Sequence, residues 1–100
     1  MKLRILSLAF EDLRAGLEFY NLQSPGLGLE FLQHLDSEIQ GLRTSFQRHP
    51  KVRWHFHRAL VRKRFPYAIY YDFDEQEIRV HMVFDCRRDP NLVFRRLRPR

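Results

Sequence analysis

The sequence predicts an α+β domain in which one small sheet carries a helical hairpin on one face. Between residues 10 and 46, apolar side chains recur every three or four positions, which is the period of an amphipathic helix. Between residues 78 and 84 they recur at every second position, which is the period of a half-buried strand. The connections are short, so consecutive elements should lie side by side. We therefore expect an N-terminal strand, two antiparallel helices and a three-stranded antiparallel meander, forming a single domain over residues 1–100.

The first half of the chain predicts a strand followed by two helices. Alternating polar and apolar side chains predict the strand at about residues 2–7. Two amphipathic stripes predict helices at about residues 9–22 and 25–48. Pro25 suits a first helical position, and His49-Pro50 ends the second helix because the residue before proline disfavours helical geometry.

The second half of the chain changes to the period of strands. They are predicted at about residues 53–62, 67–73 and 78–85. Pro66 requires the middle strand to begin near Tyr67, because proline cannot donate to an interior ladder. Pro90 then breaks the chain, and the short tail at about residues 91–97 is compatible with a helix.

Charge is distributed unevenly along the chain, whose formal net charge is +6. Residues 1–42 hold six acids and three bases, a net of −3, whereas residues 43–100 hold six acids and fifteen bases, a net of +9. From Arg43 to Arg64 there are eight basic residues and no acid. This asymmetry favours a polyanionic or acidic partner, and a solvated basic face is the alternative explanation.

Cysteine content and hydropathy bear on the cellular compartment. Cys86 is the single cysteine and cannot form an internal disulfide, which fits a reducing environment. No apolar run reaches the length of a membrane span, and the N-terminus lacks a signal-peptide h-region. We therefore expect a cytoplasmic protein without a membrane partner.

Short motifs follow one another along the chain in a distinctive order. In the second half they are Arg58, Phe65-Pro66-Tyr67 and the corner Arg87-Arg88-Asp89-Pro90. In the first half they are Ala9, Glu11-Asp12-Leu13, Phe19-Tyr20, Pro25-Gly26-Leu27-Gly28 and Phe31. This ordered set resembles the RelE/ParE superfamily, the small toxins of bacterial type II toxin–antitoxin pairs, which are also called plasmid-stabilisation proteins. The resemblance covers nearly the whole chain.

The resemblance implies a growth-inhibiting toxin that is neutralised by a cognate antitoxin, a partly disordered partner that folds on binding. We expect the sheet face away from the helical hairpin to be concave and basic, with the target bound there. The side chains expected to reach this face are Arg58, Arg62, Arg79, Arg87 and Arg88. The residues predicted to bind the target are Arg58, Tyr67, Tyr70, Arg87, Arg88 and Arg96.

The chain departs from the nuclease members of the resembled superfamily at the groups that move protons. Asp85 stands where many relatives carry a histidine, Phe94 where the nucleases place a tyrosine, and Tyr67 where they carry an arginine. An unperturbed aspartate is ionised at neutral pH and is a poor general acid, and phenylalanine has no proton to give. This points to the ParE-like branch, which is associated with poisoning DNA gyrase rather than with catalysis.

Two alternatives remain open. One is a ribosome-dependent mRNA interferase, whose arginines would stabilise the transition state while another group moves the proton. Its candidate catalytic residues are Arg58, Arg87, Arg88, Tyr67 and His81. The other is a degenerate, non-toxic family member that acts only in antitoxin binding and operator repression.

Three further patterns suggest sites, and each has a simpler explanation. His55 and His57 lie two apart in a predicted strand and could share a metal, but exposed surface is the better interpretation, so no metal or cofactor is expected. Cys86 beside Arg87 and Arg88 could have a lowered pKa, since nearby cations favour the thiolate, but a half-buried cysteine at the end of a strand is the better interpretation. Trp54 with Phe56 could stack on bases as in single-strand binders, but a core under the helical hairpin is favoured.

Overall fold

The computed structural model describes residues 1–61 and 63–99. In chain order its elements are β1 (Lys2–Ile5), α1 (Ser7–Gln23), α2 (Leu27–Ser45), β2 (Lys51–Arg53), β3 (Phe56–Leu60), β4 (Tyr67–Phe73), β5 (Glu77–Asp85) and α3 (Asn91–Arg96). Within this part of the chain the strands form one five-stranded sheet in the order β1-β5-β4-β3-β2. β1 is parallel to β5, and the other neighbours are antiparallel. The predicted α+β class is confirmed.

The segment predicted as one strand at residues 53–62 forms two strands instead. The chain turns at Trp54 and His55, so that Arg53 of β2 faces Phe56 of β3. Trp54 has a φ of 50°, in the left-handed region that β-branched and bulky residues rarely occupy. The antiparallel part of the sheet therefore has four strands among the described residues rather than the predicted three. Arg62, which was included in the predicted strand, lies outside the described residues.

The observed helix boundaries follow local backbone geometry. α2 begins after Gly26, which has a φ of 87° and so adopts the left-handed conformation that glycine tolerates best. Pro25 therefore precedes the helix instead of opening it. The tail after Pro90 forms α3. In the residues that the structure describes, no helix is long and apolar enough to cross a membrane.

The sheet has a buried apolar cluster on each face. On one face, Phe31, Leu35 and Ile39 of α2 pack with residues of α1 and with Ile69 and Val80 of the sheet. On the other face, α3 lays Val93 and Leu97 over a second cluster. The sheet residues of that cluster are Phe56, Ala68, Tyr70, Met82 and Phe84. The expectation of an open concave face is therefore wrong, because α3 covers part of it with apolar side chains.

The predicted core role of Trp54 is also wrong. Its side chain sits in the β2–β3 turn and is 43% exposed. Phe56 is 1% exposed, but it is buried beneath α3 and not beneath the helical hairpin. The turn separates the two side chains that a continuous strand would have placed together.

The helical hairpin depends on close approach at Gly28. A Cβ added there would lie 2.3 Å from the carbonyl oxygen of Leu17 and 2.7 Å from the side chain of Asn21. The Gly28 amide also donates to Asn21 Oδ1 at 2.9 Å. In contrast, a Cβ at Gly41, on the same helix, would meet nothing within 4 Å.

We predict opposite effects for the same substitution at these two glycines. Gly28→Ala should lower the free energy of unfolding by about 2–3 kcal/mol, because backbone must shift to admit the methyl group. Gly41→Ala should raise it by about 0.5–1 kcal/mol through helix propensity. Urea denaturation of both variants measures this, and equal effects at the two positions would contradict the packing explanation.

Candidate functional site

The corner after β5 holds Arg87 firmly. Asp85 accepts hydrogen bonds from Arg87 Nε at 2.9 Å, from Nη2 at 2.8 Å and from its backbone amide at 3.0 Å. Arg87 Nη2 also donates to the Tyr20 hydroxyl at 3.1 Å, and its guanidinium lies 5.5 Å from the Phe19 ring centroid. The hydrogen bonds from Arg87 lower the pKa of Asp85, which keeps this carboxylate ionised. Arg87 therefore ties the corner to α1.

Arg88, the neighbouring residue, is exposed and differently placed. Its backbone amide donates to the Asp85 carbonyl at 3.0 Å, but its side chain makes no hydrogen bond or ion pair with the described residues. It lines a cavity of about 270 Å³ between α1 and β5. Tyr67 and Arg96 line the same cavity, so the structure brings together three of the predicted target-binding residues.

Arg96 makes a bidentate ion pair across the molecule. Its Nη1 and Nη2 each lie 2.7 Å from an oxygen of Asp12 in α1, and Nη2 also donates to the His81 carbonyl at 3.1 Å. Asp12 in turn accepts the backbone amide of Val83 at 2.9 Å. The charge of Arg96 is thus matched by a carboxylate, and the pair anchors α3 to both α1 and β5.

Arg58 and Tyr70 lie on the face of the sheet that α3 covers. They are direct neighbours across β3 and β4. Tyr70 is 5% exposed, and its ring centroid is 6.3 Å from that of Phe94 in α3. Arg58 is half-buried, and its Nε is a buried atom without a hydrogen-bond partner among the described residues. Tyr70 therefore contributes packing surface, and Arg58 carries an unmatched cation at the edge of this cluster.

Tyr67 lies on the opposite face, in the aromatic core beneath the helices. Its ring is 4.9 Å from Phe31 and 6.4 Å from Tyr20, centroid to centroid. Burial, with the negative charge of Asp85, raises the pKa of Tyr67. A tyrosine in this setting holds its proton more tightly than a free one does.

A buried carboxylate, Asp72, organises the middle of the sheet. It accepts Arg79 Nε at 2.8 Å, and His81 Nε2 lies 3.0 Å away on the same oxygen. His55 Nε2 is 3.4 Å from the other oxygen. Burial alone would raise the pKa of Asp72, but hydrogen bonds from His81 and Arg79 outweigh it, and the net shift is downward. Arg79 is therefore an internal ion-pair residue and not part of an open basic face.

The histidines and the cysteine do not form the sites that their positions in the sequence suggested. His55 approaches Asp72, whereas His57 Nδ1 lies 2.9 Å from the His49 carbonyl and its ring stacks on Tyr71. Within residues 1–61 and 63–99, no three histidine, cysteine or acidic side chains group as a metal site would require. The alternative of a lowered Cys86 pKa does not hold, because burial and the nearby Asp85 charge raise the pKa of this thiol.

Two acids that organise this region, Asp12 and Asp72, were not among the site residues predicted from the sequence. Asp12 carried a weak signal, since it belongs to the Glu11-Asp12-Leu13 motif, but nothing in the sequence linked it to Arg96, 84 positions away. Asp72 follows the tyrosine pair of β4 and is 4% exposed. An acid inside an aromatic strand indicates a buried ion pair, because such a charge is rarely buried alone.

The Asp12–Arg96 pair should contribute measurable coupling to stability. Because it is half-buried and bidentate, a double-mutant cycle with Asp12→Ala and Arg96→Ala should give a coupling energy of about 1–3 kcal/mol. The same cycle on Arg14 and Glu18, which are 4.0 Å apart and highly exposed, serves as the control and should give about 0.3 kcal/mol. A coupling for Asp12 and Arg96 as small as this control would show that the pair does not anchor α3.

Acid should weaken the fold through Asp72. Its pKa in the folded state lies below that of the unfolded chain, so its contribution is complete above the unfolded value and is lost as pH falls through the folded one. Asp72→Asn should cost about 3 kcal/mol at neutral pH, because it leaves Arg79 with weaker compensation in a buried position. The difference in unfolding free energy between wild type and variant should be constant above about pH 5 and narrow below about pH 4. Urea titrations across this range measure it, and a constant difference down to the lowest pH would contradict the assignment.

Comparison with known proteins gives matches among solved structures alone. No protein-family model and no curated protein matches the chain. Among solved structures, a chain of the chromosomal ParDE TA system from P. aeruginosa matches with a TM-score of 0.77 at 18% sequence identity. The match covers 85% of this chain and 95% of that chain. The RelE/ParE-like arrangement expected from the sequence resemblance is thus confirmed at the level of the fold.

Proposed function

We propose that this protein is the toxin of a type II toxin–antitoxin system and inhibits an essential target by binding it. The observation that carries the proposal is the fold shared with a chain of the ParDE TA system, over nearly the whole length of both. The order of sequence motifs supports the proposal independently of the structure. The site of action is the cytoplasm, where both an antitoxin and the target would be met.

The chemistry of the corner supports inhibition by binding rather than by RNA cleavage. Asp85 is held ionised by Arg87 and cannot serve as a proton donor at neutral pH. Phe94 has no proton, and its ring packs against those of Trp54 and Tyr70. Tyr67 is buried with a raised pKa. The groups next to the arginines are therefore suited to recognition and structure.

Within this proposal, Arg88 makes the principal contact with the target. It is the cation of the corner that has no carboxylate partner among the described residues, whereas Arg87 and Arg96 hold the surrounding surface in place through their own carboxylates. Arg58 adds a second cation, while Tyr67 and Tyr70 support the surface from inside the sheet. DNA gyrase is the target we propose, on the resemblance to the ParE-like branch.

The antitoxin would bind elsewhere, on the helical hairpin. An apolar groove of about 440 Å³ lies between α1 and α2 and is lined by Phe10, Leu17 and Leu32, among others. Phe10 is 58% exposed. Arg14 and Asp36 stand at the same groove and offer charges of both signs. An amphipathic helix of the antitoxin fits such a groove, because it can lay its apolar face on these side chains.

One observation favours a second candidate, a ribosome-dependent mRNA interferase. His81 Nε2 is hydrogen-bonded to Asp72, an arrangement in which a carboxylate orients an imidazole for proton transfer. The Arg96 guanidinium reaches the carbonyl of the same His81. In this alternative His81 moves the proton and the arginines offset charge on the phosphate.

We expect expression of the chain alone to arrest bacterial growth within minutes while mRNA stays intact and gyrase-trapped DNA breaks accumulate. Mapping of mRNA 5′ ends and of DNA breaks in the same cultures measures both. Translation-dependent cuts within codons would overturn inhibition by binding and favour the nuclease. Harmless expression of folded protein would favour the degenerate, non-toxic member.

Substitution at the corner tests the site itself. Arg88→Ala should abolish toxicity without changing the thermal midpoint, because the side chain has no internal partner to lose. Arg14→Ala, which removes one exposed arginine from α1, should remain toxic and is the matched control. Arg87→Ala should lower the midpoint as well, since it breaks the Asp85 and Tyr20 contacts. Full toxicity of a well-expressed Arg88→Ala variant would exclude Arg88 as the main contact.

A further inference from the structure

Trp54 is presented to solvent by a strained turn. Its φ of 50° places a large aromatic residue in a backbone region that costs free energy, on the order of 1 kcal/mol or more. Trp54 is nevertheless 43% exposed, so burial of the ring offsets only part of the free energy of this strain. Residues in strained backbone conformations cluster at active sites and ligand clamps. The turn thus holds an indole where a ligand can reach it.

The indole of Trp54 packs against a second aromatic ring and an arginine. The Arg53 guanidinium lies over the Trp54 ring at 4.6 Å and over the Phe94 ring at 4.9 Å, measured to the centroids. The Trp54 and Phe94 rings are nearly perpendicular, at 84°, with centroids 6.0 Å apart. These contacts join the β2–β3 turn to α3 and fix the orientation of the indole. We call Arg53, Trp54 and Phe94 the Trp54 platform.

The platform joins two segments that contain cations and no acids. Residues 51–60 include Lys51, Arg53 and Arg58, and residues 91–99 include Arg95, Arg96 and Arg98, with no aspartate or glutamate in either segment. Of these six, Arg96 is neutralised by Asp12. The others face no ion-pair partner among the described residues, so the field around the platform is positive.

We propose that the Trp54 platform binds single-stranded nucleic acid. A base stacks on the exposed surface of Trp54, and the phosphates on either side lie near Arg53 and Arg95. Every base has a π-face, so such stacking tolerates any sequence, and the surrounding cations supply the affinity for the backbone. An acidic peptide would satisfy the cations but would leave the indole without a planar partner. This site lies apart from the Arg88 cavity, and the inference does not depend on the proposed toxin function.

Trp54 is the chain's only tryptophan, so its fluorescence reports on the platform directly. The full chain is titrated with oligothymidylate and oligouridylate of about eight nucleotides, a length within the site sizes of single-strand binders. Both should quench Trp54, and the ratio of the two affinities separates DNA from RNA as the ligand. An abasic oligonucleotide of equal length and polyglutamate are the comparison ligands. The logarithm of affinity should fall with that of salt concentration with a slope of about −0.7 for each phosphate contacted.

Four variants separate the contribution of base stacking to affinity from the contribution of charge. Binding is measured by the fluorescence anisotropy of a labelled oligonucleotide. Trp54→Ala should weaken binding about tenfold or more, and Trp54→Phe should recover part of the loss because a ring remains. Arg95→Glu should weaken binding and lower the salt slope, whereas Arg14→Glu, an equal change of charge on α1, should have a much smaller effect. Unchanged thermal midpoints would show that all four variants are folded.

Three results would overturn the proposal. One is the absence of both quenching and anisotropy change with either oligonucleotide at low salt. Another is equal affinity for the abasic oligonucleotide or for polyglutamate, which would reduce the site to a basic surface without base stacking. The third is a Trp54→Ala variant that binds as tightly as wild type.

Discussion

The ion pair between Asp12 and Arg96 is the contact on which the arrangement of the sheet and its helices depends. β1 is only four residues long and pairs with Glu77 to Val80, so beyond Val80 the edge of β5 that faces away from β4 has no strand beside it in the described chain. Asp12 takes the place of that missing strand by accepting the Val83 amide, and Arg96 does so by donating to the His81 carbonyl. Because the two side chains also bind each other, α1, β5 and α3 are fixed at one point. A buried backbone edge without partners would be costly, and these two side chains prevent that cost.

Internal ion pairs also explain which arginines are available to a partner. Arg79 is enclosed by the carboxylates of Asp72, Asp74 and Glu77, and Arg87 is held by Asp85. These arginines stabilise the fold, and a partner could bind them only by displacing the carboxylates with which they are paired. Arg88 and the cations around Trp54 have no such internal partner among the described residues. The cations available to a partner therefore include Arg88, at the corner beside α1, and those at the turn beside α3.

The short helix α3 separates these two regions and gives the molecule its second face. Without it, Phe56, Tyr70, Met82 and Phe84 would form an apolar patch in solvent. With it, the face becomes a second core, and Phe94 at its edge meets Trp54. The six residues of α3 thus determine the character of this side of the sheet. They bury its centre as a second core, and Phe94 at the edge completes the Trp54 platform.

Hydrophobic periodicity and proline positions are local properties of the chain, and they predict the helical hairpin, the α+β class and, except for the β2–β3 turn, the order of the elements. The predicted helices differ from the observed ones by a few residues at their ends, where the Gly26 conformation and not the proline sets the boundary. The positions of Trp54 and Phe56 could not be predicted in this way, because one left-handed residue reverses the chain and breaks the alternation. Nor could periodicity predict which arginines lack a carboxylate partner. An arginine acquires or lacks a carboxylate partner through contacts such as Arg96 with Asp12, which join distant parts of the chain and leave no periodic mark in the sequence.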